Sequence, residues 1–226
     1  MRRGQITVFI IIGVLVLLVV GGVLFANSQR VQEQSIPRTE AVAEAAQPIQ
    51  DFILACMAST AKDAIKQIGD HGGYSSIQSI ANVKTNPTAP TEADAVMFSA
   101  DSQYGVPYWW YLKSKNTCEK DCEFASKRPA LFKRDGTPSI EGELEQAMLD
   151  SFPACVRNFE AFKDQKFTVE TIGNPTVRAI ITKDNVVMGL HQEFKATRDT
   201  DTYVLKDFAT TVQVRLQDAY NLATNI

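Results

Sequence analysis

The fold class this chain predicts is an α+β ectodomain carried on one N-terminal transmembrane helix. The ectodomain should hold two amphipathic helices, a short antiparallel β-meander and a C-terminal helix. Three observations predict it. Residues 6–25 form an apolar run without a single charge. Two later stretches repeat apolar residues every three or four positions, the period of a helix with one buried face. From Lys166 onward the period shortens to two, the signature of strands.

The run ITVFIIIGVLVLLVVGGVLF has one hydroxyl, Thr7. At 1.5 Å rise per residue it spans roughly 30 Å as a helix, the thickness of a bilayer's hydrocarbon core. It is too long for the roughly 7–15-residue apolar core of a cleaved secretory signal. Arg2 and Arg3 precede it, and the positive-inside tendency keeps them cytoplasmic, which puts the C-terminal bulk outside a cell membrane. The sequence therefore divides into a basic head (residues 1–5), a transmembrane helix (6–26), a polar linker (27–39) and an extracytoplasmic domain (40–226).

From Glu40, Val42, Ala45, Ile49, Phe52, Ile53, Cys56, Met57, Ile65 and Ile68 recur at helical spacing. Pro48 predicts a kink or a fresh helix start, and Gly69 a stop. Residues 74–137 have weak periodicity, four prolines and the aromatic cluster Tyr108-Trp109-Trp110-Tyr111. A second helix is expected from Thr137-Pro138-Ser139, with the stripe Ile140, Leu144, Met148, Phe152, Cys155, Phe159 and Phe162, and a bend at Pro153. Strands are expected at 166–172, 176–182 and 186–197, turned by Gly173-Asn174-Pro175 and Lys183-Asp184-Asn185. In the third, Val186, Met188, Leu190, Phe194 and Ala196 share the core face. Residues 205–214 suit a strand or a helix, and a helix is favoured from Val214.

Four cysteines fit an oxidising exterior and allow three pairings. Cys56 and Cys155 each lie on an apolar helix stripe, so facing helices would bring them to bridging distance. Cys118 and Cys122 would then pair locally. The alternatives are reduced core thiols at Cys56 and Cys155, or half a zinc site at Cys118 and Cys122. A zinc site would have only His71 and His191 to complete it. His71, beside Gly72 and Gly73, reads as a solvated loop residue, and His191 as a solvated strand residue.

The net charge is −3, and it becomes more negative once the two head arginines are set aside. That excludes nucleic acid as a natural partner, since phosphate neutralisation needs clustered Lys and Arg. Lys127, Arg128, Lys133 and Arg134 are broken by Pro129 and read as an exposed loop. No catalytic, metal or cofactor motif is found, so an enzyme has no support. Tyr108, Trp109, Trp110 and Tyr111 form the candidate contact surface, for a glycan, a solute or a protein; the alternative is a buried plug.

The head Arg2-Arg3-Gly4-Gln5, followed directly by the apolar run, resembles the class III, prepilin-type signal of archaeal surface proteins. The resemblance implies a prepilin peptidase that cuts between Gly4 and Gln5 and leaves the helix on the mature chain. Where such proteins usually carry Glu at the fifth mature position, for filament packing, this chain has Phe9. The soluble part also resembles archaeal single-pass membrane proteins that share a cysteine-bearing helix, a Gly72-Gly73-Tyr74 turn, a Pro107-Tyr108-Trp109 segment and a second cysteine helix. The likeness implies an architecture and brings no activity with it. Two roles follow as expectations. One is an anchored surface protein with a structural or binding ectodomain. The other is a pilin-like filament subunit that self-associates through Gly13, Gly21 and Gly22.

Overall fold

The computed structural model describes residues 37–98, 104–114, 117–134 and 137–225. The apolar run 6–25, together with Gly4 and Gln5, lies outside the described residues. No helix among the described residues is long and apolar enough to cross a membrane.

The first helix, α1 (Gln47–Asp70), follows a single 3-10 turn and carries Pro48 in its first turn. Proline there gives up a donor that has no partner anyway, so the fresh start is realised rather than a kink. Gly69 is still helical. The reversal falls at Gly72 and Gly73, whose φ angles of 63° and 99° lie in the left-handed region. Gly73 N–H closes the helix end by donating to Ile68 O at 2.8 Å.

The second helix, α2 (Ile140–Val156), is capped by Ser139, whose hydroxyl accepts from Gly142 N. Pro138 lies just outside the cap, not in the first turn. Pro153 is accommodated within the helix, and the break comes four residues later. There Arg157, Asn158 and Phe159 take left-handed φ before a 3-10 stretch runs on to Gln165. This break turns Phe159 and Phe162 back into the core. Phe159 meets Phe52 and Phe194 edge-on, at 6.1 and 5.2 Å between ring centroids.

The main sheet is built on a long central strand, β6 (Asn185–Arg198). It pairs along one side with β5 (Phe167–Ile181) and along the other with β7 (Asp201–Leu205) and β8 (Phe208–Gln213). This corrects the sequence reading in one place and decides an open alternative in another. Phe167–Ile181 form one strand with a bulge between Ile172 and Thr176, not two strands joined by a turn. Residues 205–213 are mostly strand, and the last helix, α3 (Leu216–Thr224), begins only at Leu216. The bulge has a specific cause. Gln192 is buried on the core face of β6, and its Nε2 donates to Ile172 O at 2.7 Å. The side-chain amide replaces the backbone partner that the displaced strand gives up.

Both large helices cover one face of this sheet, α2 over β5 and α1 over β8, and Met57, Leu144, Met188, Leu190, Phe194 and Phe208 fill the space between. Cys56 and Cys155 join the helices across that core, with Cα atoms 5.7 Å apart. Three carboxylates in the first turns of α2 tie the rest together. Glu141, only 2% exposed, accepts from Ile181 N and Lys133 N. Glu145 accepts from Ala179 N and pairs with Lys133, so the two glutamates satisfy the edge of β5 that faces away from β6. Glu143 takes the Ser75 amide and hydroxyl. The chain joins the domain at Pro37, whose ring lies where a side chain at Gly189 would stand. Thr39 and Glu40 then bond to the edge of β8.

Candidate functional site: an aromatic hairpin on a bolted loop region

Between α1 and α2 the chain makes an excursion with its own small core of Tyr74, Ile77, Ile80 and Ala95. Two short antiparallel pairs lie on it. Strand β1 (Ala95–Met97) pairs with β2 (Gly105–Pro107), and β3 (Tyr111–Leu112) pairs with β4 (Phe124–Ala125). Strands this short carry little ladder energy, so side-chain bonds must fix them. Tyr74 donates its hydroxyl to Lys127 O at 2.8 Å, and Lys127 N–H donates to Tyr108 O at 3.0 Å. Burial, and next the Glu143 carboxylate, push the Tyr74 phenol up to about 12.

The structure separates the four aromatics that the sequence groups together. Trp109 turns inward. Its Nε1 donates to Gly72 O at 2.9 Å, and its ring packs on Tyr220 of α3. Tyr108 is half-buried, with its hydroxyl on Pro90 O. Tyr111 is also half-buried, and its phenol is pushed up by burial and then by Asp94. These three hold the excursion in place. Trp110 alone turns out, 70% exposed, and stacks on Phe124, 52% exposed, with centroids 5.5 Å apart and planes 9° from parallel.

Phe124 was not legible as a site residue. It becomes one because Leu112 pairs with Phe124 and places it diagonally across from Trp110 on the same hairpin face. Cys118 and Cys122 are bridged to each other at the hairpin tip, so they are not free thiolates for a metal. Lys113 clamps the base of the tip through Glu123, at 2.6 Å between side chains and 2.7 Å along the backbone. That contact raises the Lys113 ammonium above its ordinary value, first through the hydrogen bond and then through the charge. An exposed aromatic pair is thus presented on a stapled, braced loop, the arrangement that binding surfaces favour because ordering costs are met in advance.

His71 differs from its sequence reading. It is 8% exposed, its Nδ1 bonds Gln67 O at 2.7 Å, and its ring stacks on Tyr104. The helix end that produces the Gly72-Gly73 turn also folds the imidazole under that loop. His191 is exposed, with its Nδ1 2.6 Å from Asp207 Oδ1. Neither ring, among the described residues, bonds a hydroxyl or thiol that could serve as a nucleophile. Among the described residues no three His, Cys, Asp or Glu side chains group as a metal site.

No protein-family model, curated protein or solved structure matches the chain. Function has to be argued from the geometry. The cleft beside the hairpin, about 870 Å³, is lined by Lys84, Asp94, Tyr111, Lys113 and Lys127. Two of its three lysines are paired: Lys127 with Asp94 at 3.8 Å inside the cleft, and Lys113 with Glu123 beside it. Trp110 and Phe124 lie outside this cleft, as an exposed stacked apolar pair on the same hairpin.

Proposed function

We propose that this chain is a single-pass, membrane-anchored surface protein with a non-catalytic extracytoplasmic domain that meets a partner through Trp110 and Phe124. The stacked, exposed ring pair on a disulfide-stapled hairpin is the observation that carries the binding part. Large aromatics left open to water at a rigid position are the residue type enriched at contact hot spots. The two disulfides agree with an oxidising compartment, and the uncharged run at 6–25 supplies the anchor. On the strength of the Arg2-Arg3-Gly4-Gln5 head, the reading extends to prepilin-type cleavage between Gly4 and Gln5.

The test uses the full chain in its own membrane. Mass spectrometry of the mature N-terminus should find Gln5 first, and an intact Met1 ends the processing claim. External protease should cut the domain on whole cells; protection would put it on the wrong side. Trp110→Ala with Phe124→Ala should leave the melting temperature within about 2 °C and abolish crosslinking to cell-surface material. Retained crosslinking would remove the hairpin from the function.

A further inference from the structure

A second cleft, distinct from the hairpin surface, lies between α3 and the loop that leads into α2. It encloses about 440 Å³, within the range of small-ligand sites. Arg128 and Arg134 line it, and among the described residues no acidic side chain does. Neither guanidinium forms an ion pair among the described residues. In a chain with more carboxylates than cations, the described walls of this cleft bring two arginines together with no carboxylate among them. Two other cavities among the described residues mix their signs: one carries Lys84, Lys113 and Lys127 with Glu92 and Asp94, the other Lys66 and His71 with Asp63 and Asp70.

The remaining walls narrow the ligand class. Phe132 is 40% exposed and offers an aromatic face, and Tyr220 a second ring. Gln217 and Asn221, one turn apart on α3, also line the cleft and bring two side-chain amides to it. Tyr220 donates its hydroxyl to Pro129 O at 2.9 Å, so helix and loop are bonded wall to wall. The loop wall includes Pro129 and Pro138, which have no N–H to offer an extended peptide. Guanidiniums match a planar carboxylate, amides match neighbouring hydroxyls, and an open ring matches the C–H face of a sugar.

We infer that this cleft binds an acidic saccharide, with its carboxylate held by Arg128 and Arg134 and its ring hydroxyls by Gln217 and Asn221. The site stands apart from the proposed Trp110 contact, and either can fail without the other.

Isothermal titration calorimetry on the full chain in detergent micelles, with digalacturonate as the probe, tests it. Digalacturonate should bind, and Arg128→Gln and Arg134→Gln should each weaken it at least tenfold with unchanged melting temperatures. Raising the salt should weaken it. Absence of binding, equal affinity for the neutral disaccharide cellobiose, tighter binding of a triglutamate peptide, or indifference to the double arginine variant would each overturn the assignment.

Discussion

Removing the Cys56–Cys155 bridge should cost far more than removing Cys118–Cys122, although both bridges span the same 5.7 Å between Cα atoms. The difference lies in the chain each one closes. Cys56 and Cys155 are 99 positions apart, and tethering a loop of that length removes denatured-state entropy worth about 4.7 kcal/mol. Cys118 and Cys122 are 4 positions apart, for which the same expression gives roughly 2 kcal/mol. The Cys118–Cys122 bridge also sits on the exposed hairpin tip, outside the main core. The larger loss is a third or more of the stability of an ordinary domain. With about 2–4 °C per kcal/mol for a domain of this size, Cys56→Ala with Cys155→Ala should lower the melting temperature by roughly 10–20 °C. Cys118→Ala with Cys122→Ala should lower it by no more than about 8 °C. Calorimetry on the oxidised full chain and both double variants measures the two shifts. Equal shifts, or a larger one for the hairpin pair, would refute the account in which the long bridge staples the two helices of the core.

The buried carboxylate of Glu141 makes a second test. Glu141→Ala leaves the Ile181 and Lys133 amides without an acceptor and should cost about 2–5 kcal/mol by urea denaturation, while Glu141→Gln, which keeps one acceptor, should cost less. Tyr74 gives a pH dependence. Its folded phenol is held up to about 12 by burial and then by Glu143, against about 10 when unfolded, so its stabilising effect is complete below pH 10. That effect is lost as pH rises from 10 toward 12, because the unfolded chain ionises first. The urea midpoint should therefore fall more steeply between pH 9 and pH 11 in the parent than in Tyr74→Phe; parallel slopes would be the contrary result. Trp109→Ala, which removes the bond to Gly72 O and the packing on Tyr220, should cost roughly 2–4 kcal/mol by the same assay, where Trp110→Ala costs little.

The contrast between those adjacent tryptophans explains how much of the molecule was legible in its sequence. Cys56 and Cys155 could be placed because each lies on a long periodic stripe, and a stripe carries direction: whatever faces the core faces the other helix. The same holds for Val186, Met188 and Leu190 on the central strand. The residue types of Gly173-Asn174-Pro175 suit a turn, whereas here they form a bulge within one strand, where the amide of Gln192, across the ladder, takes up the carbonyl of Ile172. Residues 74–134 have no stripe long enough to carry direction, so Tyr74, Tyr108 and Trp109 are each placed by a polar partner distant in the chain. Trp109 is turned in by the carbonyl of Gly72, available only because the glycine turn after α1 points it that way, and by Tyr220, which arrives with the last helix. Trp110 then has to face outward, since its neighbour has taken the inner side, and Phe124 joins it through strand register. Arg128, Arg134 and Gln217 likewise share a cleft only after α3 folds back onto the loop through the Tyr220 hydroxyl. Both candidate surfaces thus hang from the contacts of one residue, Tyr220, whose ring supports the hairpin from behind while its hydroxyl closes the arginine cleft.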